Sequence, residues 1–249
     1  MKRKGSEVIT RLSTLAMLAA LGFVLMTFAQ IPYPLAPWLK IEVSEVVVLI
    51  AFALYGFWGG FSVALLKTLL NMAVFGLSKD PLGVGYLTAM FGSLLFLLGL
   101  LLFSHVFRFF SKGFWFRVLS YVLTTLLLAG VLTFLNGLFI TPTYLSASYC
   151  TCFSDGVVDG VIKAFGKLFP SVQGEGLGTY SLLIFLLYFP FNALKGALVF
   201  FLYEILFNRL IFVFLARSPR MKKYFLGPIF KTKEKEEEKT EKKEEENRK

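Results

Sequence analysis

The chain has 249 residues, of which 56% are hydrophobic, and it carries a formal net charge of +10. A soluble domain of this size cannot bury so much apolar surface, so the composition predicts a polytopic membrane protein surrounded by lipid. The charge does not indicate a nucleic-acid partner, because the basic residues flank apolar runs and do not form a basic face with polar and aromatic contacts.

The charge pattern divides the chain into two parts. Residues 231–249 contain eight basic and eight acidic side chains and no apolar residue. We expect this Lys/Glu-rich tail to be disordered and solvated, because it has no apolar side chains whose burial could offset the entropy lost on ordering. Residues 1–230 are expected to form one membrane domain.

Six apolar segments are predicted to be transmembrane helices, which makes the predicted fold class all-α. They cover about residues 12–31, 46–57, 61–77, 82–107, 118–140 and 182–215. The second and third are separated at Gly56–Gly60. A single merged helix of roughly 31 residues would be about 46 Å long, well beyond a hydrocarbon core of about 30 Å.

The basic residues predict the orientation of these spans. Six spans place the basic N-terminus, the basic C-terminal flank and the loop after the fourth span on one side of the membrane. Members of this set include Arg11, Arg108, Arg117 and Arg217. The positive-inside rule makes this side cytoplasmic, so we expect both termini in the cytoplasm.

Two of the outer loops have recognisable patterns. The first, at residues 32–43, contains three prolines and is expected to be stiff and extended. The third, at residues 141–179, contains apolar residues at helical spacing, which predicts a short amphipathic helix on the membrane or over the bundle. These residues are Val157, Val158, Val161, Ile162, Phe165, Leu168 and Phe169.

The sequence lacks the usual motifs of enzymes and metal proteins. Its one histidine, His105, lies in a basic loop, and its two cysteines, Cys150 and Cys152, have no histidine nearby. No zinc-protease, Walker or paired-carboxylate motif is present. We therefore expect no catalytic activity, no metal site and no cofactor.

Polar residues inside the apolar spans are the strongest functional signal. Asn192 and Lys195 share one helix face just after Pro190. A cation at membrane depth costs about 2.5–3.5 kcal/mol and usually faces a cavity or a partner, so these residues predict a polar pocket for a small organic molecule. Lys67 and Asn71 also share a face, where either a structural bridge to a neighbouring helix or a place in the pocket is expected. Asn136 is either an interhelical hydrogen-bonding residue or part of the same pocket.

Several segments resemble the substrate-binding S-component of energy-coupling factor (ECF) vitamin transporters, particularly the riboflavin-specific type. The most specific is Pro190–Gly196, with the sequence Pro-Phe-Asn-x-x-Lys-Gly. Further matches are Leu39–Glu45, Ala64–Asn71, Asp80–Gly83 and Leu135–Gly137. Ala16 and Ala20 match the alanine motif of the family's first helix. The resemblance covers about residues 10–215.

The resemblance implies a substrate-binding membrane domain that captures riboflavin from outside. Asn136, Asn192 and Lys195 would hydrogen-bond the polar edge of its isoalloxazine ring. Leu39 and Lys40 would supply backbone groups and cover, and Asn71 would also contribute to the site. The partners implied are a transmembrane T-component, contacted through Ala16 and Ala20, and two ATPase subunits.

Other functions remain open on the sequence alone. The chain could be an S-component for another vitamin or vitamin precursor, a free-standing membrane facilitator, or a membrane enzyme. The absence of catalytic motifs disfavours the enzyme. A facilitator usually has two broken helices in matching positions, whereas the sequence contains one such break, at Pro190.

Overall fold

The computed structural model describes residues 2–76, 83–108, 114–143, 157–166 and 174–206. Several predictions concern residues outside these ranges. They include the turn at Asp80 and Pro81, the two cysteines, most of the 141–179 loop and the Lys/Glu-rich tail. The described residues form a helical bundle with a small β-hairpin at one end, which we call the hairpin end.

Seven helices are described. They are α1 (Lys2–Phe28), α2 (Glu45–Tyr55), α3 (Phe57–Phe75), α4 (Val84–Arg108), α5 (Phe114–Leu135), α6 (Val157–Gly166) and α7 (Gly176–Tyr203). A π-helical turn, Asn136–Ile140, continues α5. The amphipathic helix predicted in the third outer loop is therefore confirmed as α6. Two of its apolar residues, Val158 and Ile162, pack against the bundle.

The prediction of six membrane-spanning helices is confirmed only in part. Among the described residues, five helices are long and apolar enough to cross a membrane. The second predicted span is the helix α2, which has only 11 residues and is about 16 Å long at about 1.5 Å per residue. Residues Glu45–Leu54 of α2 are all buried by the protein itself. An apolar segment enclosed by other helices has the same sequence pattern as a lipid-exposed span, so the sequence alone does not distinguish the two.

Gly56 separates α2 from α3, as the sequence predicts. Its φ of 78° and ψ of −168° lie in a region that side-chain-bearing residues rarely adopt. Its N–H still caps α2 by donating to the Phe52 carbonyl at 2.8 Å. Because this one residue makes the whole turn, α3 begins at Phe57, and Gly59 and Gly60 belong to its first turns.

The hairpin corrects the all-α prediction. Strand β1 (Gln30–Tyr33) pairs antiparallel with β2 (Ala36–Glu42), and the register is irregular after Pro32. The proline-rich loop is extended, as predicted, but its pairing was not predicted. Proline lacks a donor N–H, yet it is tolerated in an edge strand, where one side needs no partner.

Two apolar clusters hold the described elements together. The first surrounds α2 and includes side chains from α1, α3, α4, α5 and α7. The second lies at the hairpin end, where Tyr33, Ala36 and Ile41 of the hairpin pack against the first half of α7. This second cluster places the hairpin directly over the region that contains Asn192.

Candidate functional site

Asn192 lies on a continuous helix and has an unsatisfied donor. Helix α7 runs through Pro190 without ending, although a proline cannot donate to the carbonyl of Leu186 one turn earlier. Asn192 is only 3% exposed, and its Nδ2 has no hydrogen-bond partner among the residues that the structure describes. A buried polar group without a partner costs about 1–3 kcal/mol and is rare in native structures. Such a donor is available to a ligand.

Lys195 is paired with a glutamate of the hairpin. Its Nζ lies 3.3 Å from Oε1 of Glu42, and the two side chains are 13% and 9% exposed. Glu42 is the last residue of β2, so this ion pair links the hairpin to α7. Glu42 was not among the site residues predicted from the sequence. A buried cation needs a nearby carboxylate, and this requirement could have indicated Glu42.

A second buried pair settles the position of Lys67. Its Nζ donates to Oε1 of Glu45 and to Oγ of Ser44, each at 2.8 Å. Both charged side chains are fully buried. Of the two alternatives in the sequence analysis, the structure shows the bridge, which connects α3 to the start of α2.

Asn71 and Asn136 form hydrogen bonds within the protein. Asn71 donates from Nδ2 to Oγ1 of Thr27 at 2.9 Å, which joins α3 to α1. Asn136 is buried and donates from Nδ2 to the Leu132 carbonyl of its own helix at 2.7 Å. This donor therefore does not form the interhelical bond that was one alternative for Asn136. Roles of both residues in ligand binding stay predictions.

The two predicted loop residues differ in their surroundings. Leu39 is partly buried and packs against the hairpin-end cluster, whereas the Lys40 side chain is exposed. The ring of Tyr33 meets the ring of Phe191 edge-on, with centroids 5.3 Å apart. Since Phe191 precedes Asn192, the hairpin covers this part of α7, and Leu39 belongs to the cover.

Further polar contacts join α5 and α7 at the ends of these helices that lie nearest the hairpin. The Tyr180 hydroxyl donates to the Gly137 carbonyl. Thr141 donates from Oγ1 to the hydroxyl of Tyr188 at 2.8 Å. Asn136 and Asn192 thus lie on two helices that are directly packed against each other.

Ala16 and Ala20 lie on a face of α1 that the described part of the chain leaves uncovered. Both are exposed, as is the adjacent Met17. Leu15 and Ala19, on the other side of the helix, are buried in the bundle. Small exposed residues four apart allow another helix to approach closely.

Comparison with known proteins identifies the family. A family model described as "ECF transporter, substrate-specific component" matches residues 10–207. The chain belongs to this family. Members are substrate-specific components of transporters and not enzymes, and the resemblance seen in the sequence motifs is confirmed.

Two curated relatives are transporters of one vitamin. "Riboflavin transporter FmnP" of Bacillus subtilis (strain 168) is 26% identical over 204 residues, which cover 81% of this chain and 92% of that protein. "Riboflavin transporter RibU" of Staphylococcus aureus (strain TCH60) is 45% identical over 74 residues, 29% of this chain and 38% of that protein.

A solved structure shares the fold. The S component of a bacterial ECF transporter matches with a TM-score of 0.58 and 24% identity, covering 82% of this chain and 97% of that one. The family membership and this fold make the chain a multi-pass membrane protein of the S-component type.

Proposed function

We propose that this protein is the riboflavin-binding S-component of an ECF importer. The observation that carries the proposal is the buried, unsatisfied amide donor of Asn192, which lies one helical turn from Lys195 under the hairpin. The names of the two curated relatives support riboflavin as the vitamin.

The site residues suit the chemistry of a flavin. The polar edge of an isoalloxazine ring offers carbonyl and ring-nitrogen acceptors, to which Asn192 and Lys195 can donate. Leu39 and the aromatic rings at the hairpin end supply apolar cover for the flat ring. Asn136, Asn71 and Lys40 are proposed as further contributors. Asn136 and Asn71 are polar residues within apolar helices, and Lys40 is included through the resemblance alone.

The ion pair favours an uncharged ligand. Glu42 balances the charge of Lys195, so the pair has no net charge to offer a phosphate group. Riboflavin is neutral, whereas its phosphate ester carries negative charge that would have to be desolvated near a carboxylate. We therefore propose riboflavin, and not its phosphate ester, as the preferred ligand.

The proposed transport cycle requires partners. Ala16 and Ala20 would form the docking surface for a T-component, which in turn would associate with two ATPases. Both termini would be cytoplasmic, as the positive-inside rule predicts, and the hairpin end would face outward to capture the vitamin.

The absorption spectrum of the purified protein tests this function. A flavin that binds tightly enough to be carried through purification gives absorption bands near the visible blue region and a yellow colour. We expect these bands in protein from riboflavin-grown cells, and we expect them to disappear after exhaustive dialysis in denaturant. Protein that remains colourless even after incubation with excess riboflavin and removal of the free vitamin would contradict the proposal.

A further inference from the structure

Four contacts define how α5 and α7 pass each other as antiparallel helices. The contacting pairs, from the start of α5, are Arg117–Glu204, Tyr121–Phe200, Thr125–Gly196 and Gly137–Ile184. Every step of four residues along α5 corresponds to a step of four residues back along α7. This is the regular row-against-row packing in which residues four apart form the ridges of both helices.

The same four-residue register identifies the residues of α5 and α7 that face each other in the middle of this interface. Between Thr125 and Gly137 it places Ala129 at the level of Asn192 and Thr133 at the level of Tyr188. Ala129 has only a methyl side chain, so little side-chain volume of α5 lies opposite Asn192. Thr133 lies one turn closer to the hairpin end.

Thr133 has the same unusual property as Asn192. It is 7% exposed, and within the described part of the chain its Oγ1 has no hydrogen-bond partner. A threonine within a helix commonly donates to the carbonyl four residues earlier, as Thr124 does to Ser120 at 2.8 Å. The hydroxyl of Thr133 is buried without making this bond.

The general tilt of helical side chains would direct the two unpaired groups toward each other. Side chains on a helix tilt toward its N-terminus. On α5 this direction leads from Thr133 away from the hairpin end, and on the antiparallel α7 it leads from Asn192 toward the hairpin end. Along the helix axis, Thr133 and Asn192 are about 6 Å apart, which is one turn. Both polar groups are therefore expected to point into the space between these two positions.

We propose that Thr133 is a further ligand-binding residue, whose hydroxyl bonds the same molecule as the Asn192 amide. The inference rests on the proposed function for the identity of the vitamin. The ligand class it requires is an uncharged, flat heteroaromatic molecule with at least two polar atoms along one edge. The unpaired atom of Asn192 is a donor, whereas the Thr133 hydroxyl can donate or accept, so Thr133 adds discrimination at a second atom of that edge.

Thr133→Val tests the inference, because valine keeps the shape and removes the hydroxyl. Riboflavin affinity is measured by quenching of flavin fluorescence, and the thermal midpoint of the ligand-free protein is measured in the same detergent. Losing one hydrogen bond in a buried site corresponds to an affinity about three- to tenfold weaker. The midpoint of the free protein is expected to stay equal or to rise, since an unsatisfied polar group is removed.

Matched variants separate binding from packing. Thr124→Val alters a buried threonine of α5 that already has a partner, and we expect unchanged riboflavin affinity. Thr133→Ser keeps the hydroxyl and should retain near-normal affinity, while Thr133→Ala provides a second hydroxyl-free variant should the valine be poorly accommodated.

The outcomes distinguish this inference from the proposed function. Weaker binding by Thr133→Val and Thr133→Ala, with retention by Thr133→Ser, supports the assignment. Wild-type affinity in both hydroxyl-free variants overturns it and leaves the riboflavin function standing. A wild-type protein that does not bind riboflavin overturns the proposed function and this inference together.

Discussion

Two buried lysines, each paired with a glutamate, give the bundle its polar interior. Lys195 on α7 pairs with Glu42, and Lys67 on α3 pairs with Glu45. The two glutamates are three residues apart, where β2 leads into α2. This short segment therefore anchors two helices that are distant in sequence, α3 and α7.

For single residues, the helix face on which a side chain lies could be predicted from the sequence, but its hydrogen-bond or ion-pair partner could not. Asn192 and Lys195 could be placed on one face because helical spacing is a property of neighbouring residues. The partner of Lys195 lies 153 positions away in the sequence, and its identity depends on how the hairpin folds back. Likewise, nothing in the local pattern distinguishes Thr133, which lacks a partner, from Thr124, which has one.

A double-variant experiment separates the ligand role of Lys195 from its ion pair. Lys195→Met should weaken riboflavin binding about tenfold or more, because a charge-assisted hydrogen bond contributes about 1.5–3 kcal/mol. It should also lower stability by up to about 3 kcal/mol, since Glu42 is left mostly buried without a cation. Fluorescence titration and thermal unfolding in detergent measure the two effects.

Adding Glu42→Gln to Lys195→Met then removes the unpaired charge. We expect the double variant to recover most of the lost stability and none of the lost affinity. If affinity returned along with stability, Lys195 would act only through the fold, and its assignment to the ligand would be wrong. Lys163→Met, at an exposed position of α6, serves as the control for loss of a lysine.

Where the helices are interrupted could be predicted from the sequence, whereas which elements pack against each other could not. A break within Gly56–Gly60 was predicted, because the glycines there and the excessive length of a merged helix both favour it; the structure narrows the break to Gly56. The burial of α2 and the pairing of β1 with β2 were not predicted. Both depend on contacts between elements, and neither an apolar run nor a proline-rich segment reports which neighbour will cover it.

Gly56→Ala tests the break between α2 and α3. Alanine at a φ of 78° and ψ of −168° is strained, and such conformations cost about 1–3 kcal/mol. We expect a corresponding loss of stability in thermal unfolding. Gly130→Ala is the control, since a Cβ there meets nothing within 4 Å and alanine favours a helix interior by about 1 kcal/mol. Equal effects of the two substitutions would argue against a special role for Gly56.

The exposed face of α1 is the feature of the whole molecule on which the docking proposal rests. Ala16 and Ala20 point away from the bundle, and Ala19 points into it. This contrast makes the docking proposal testable, because bulk can be added to either side of the same helix.

Ala16→Leu with Ala20→Leu should block close helix packing with the T-component. Overpacking costs about 1–3 kcal/mol, which corresponds to a roughly ten- to hundredfold loss of assembly. We expect normal flavin quenching, loss of co-purification with the T-component and loss of riboflavin uptake by cells. Ala19→Leu should instead reduce folding and binding together. Full uptake by the double variant would remove these alanines from the docking surface.

The central claim is that the polar residues under the hairpin form a site for riboflavin. Its most direct test is a fluorescence and calorimetric titration of the purified, ligand-free protein with riboflavin, its phosphate ester, thiamine and biotin. We expect saturable binding of riboflavin at one site per chain, weaker binding of the phosphate ester, and no binding of the other two vitamins. No binding of riboflavin, together with saturable binding of another vitamin, would contradict it.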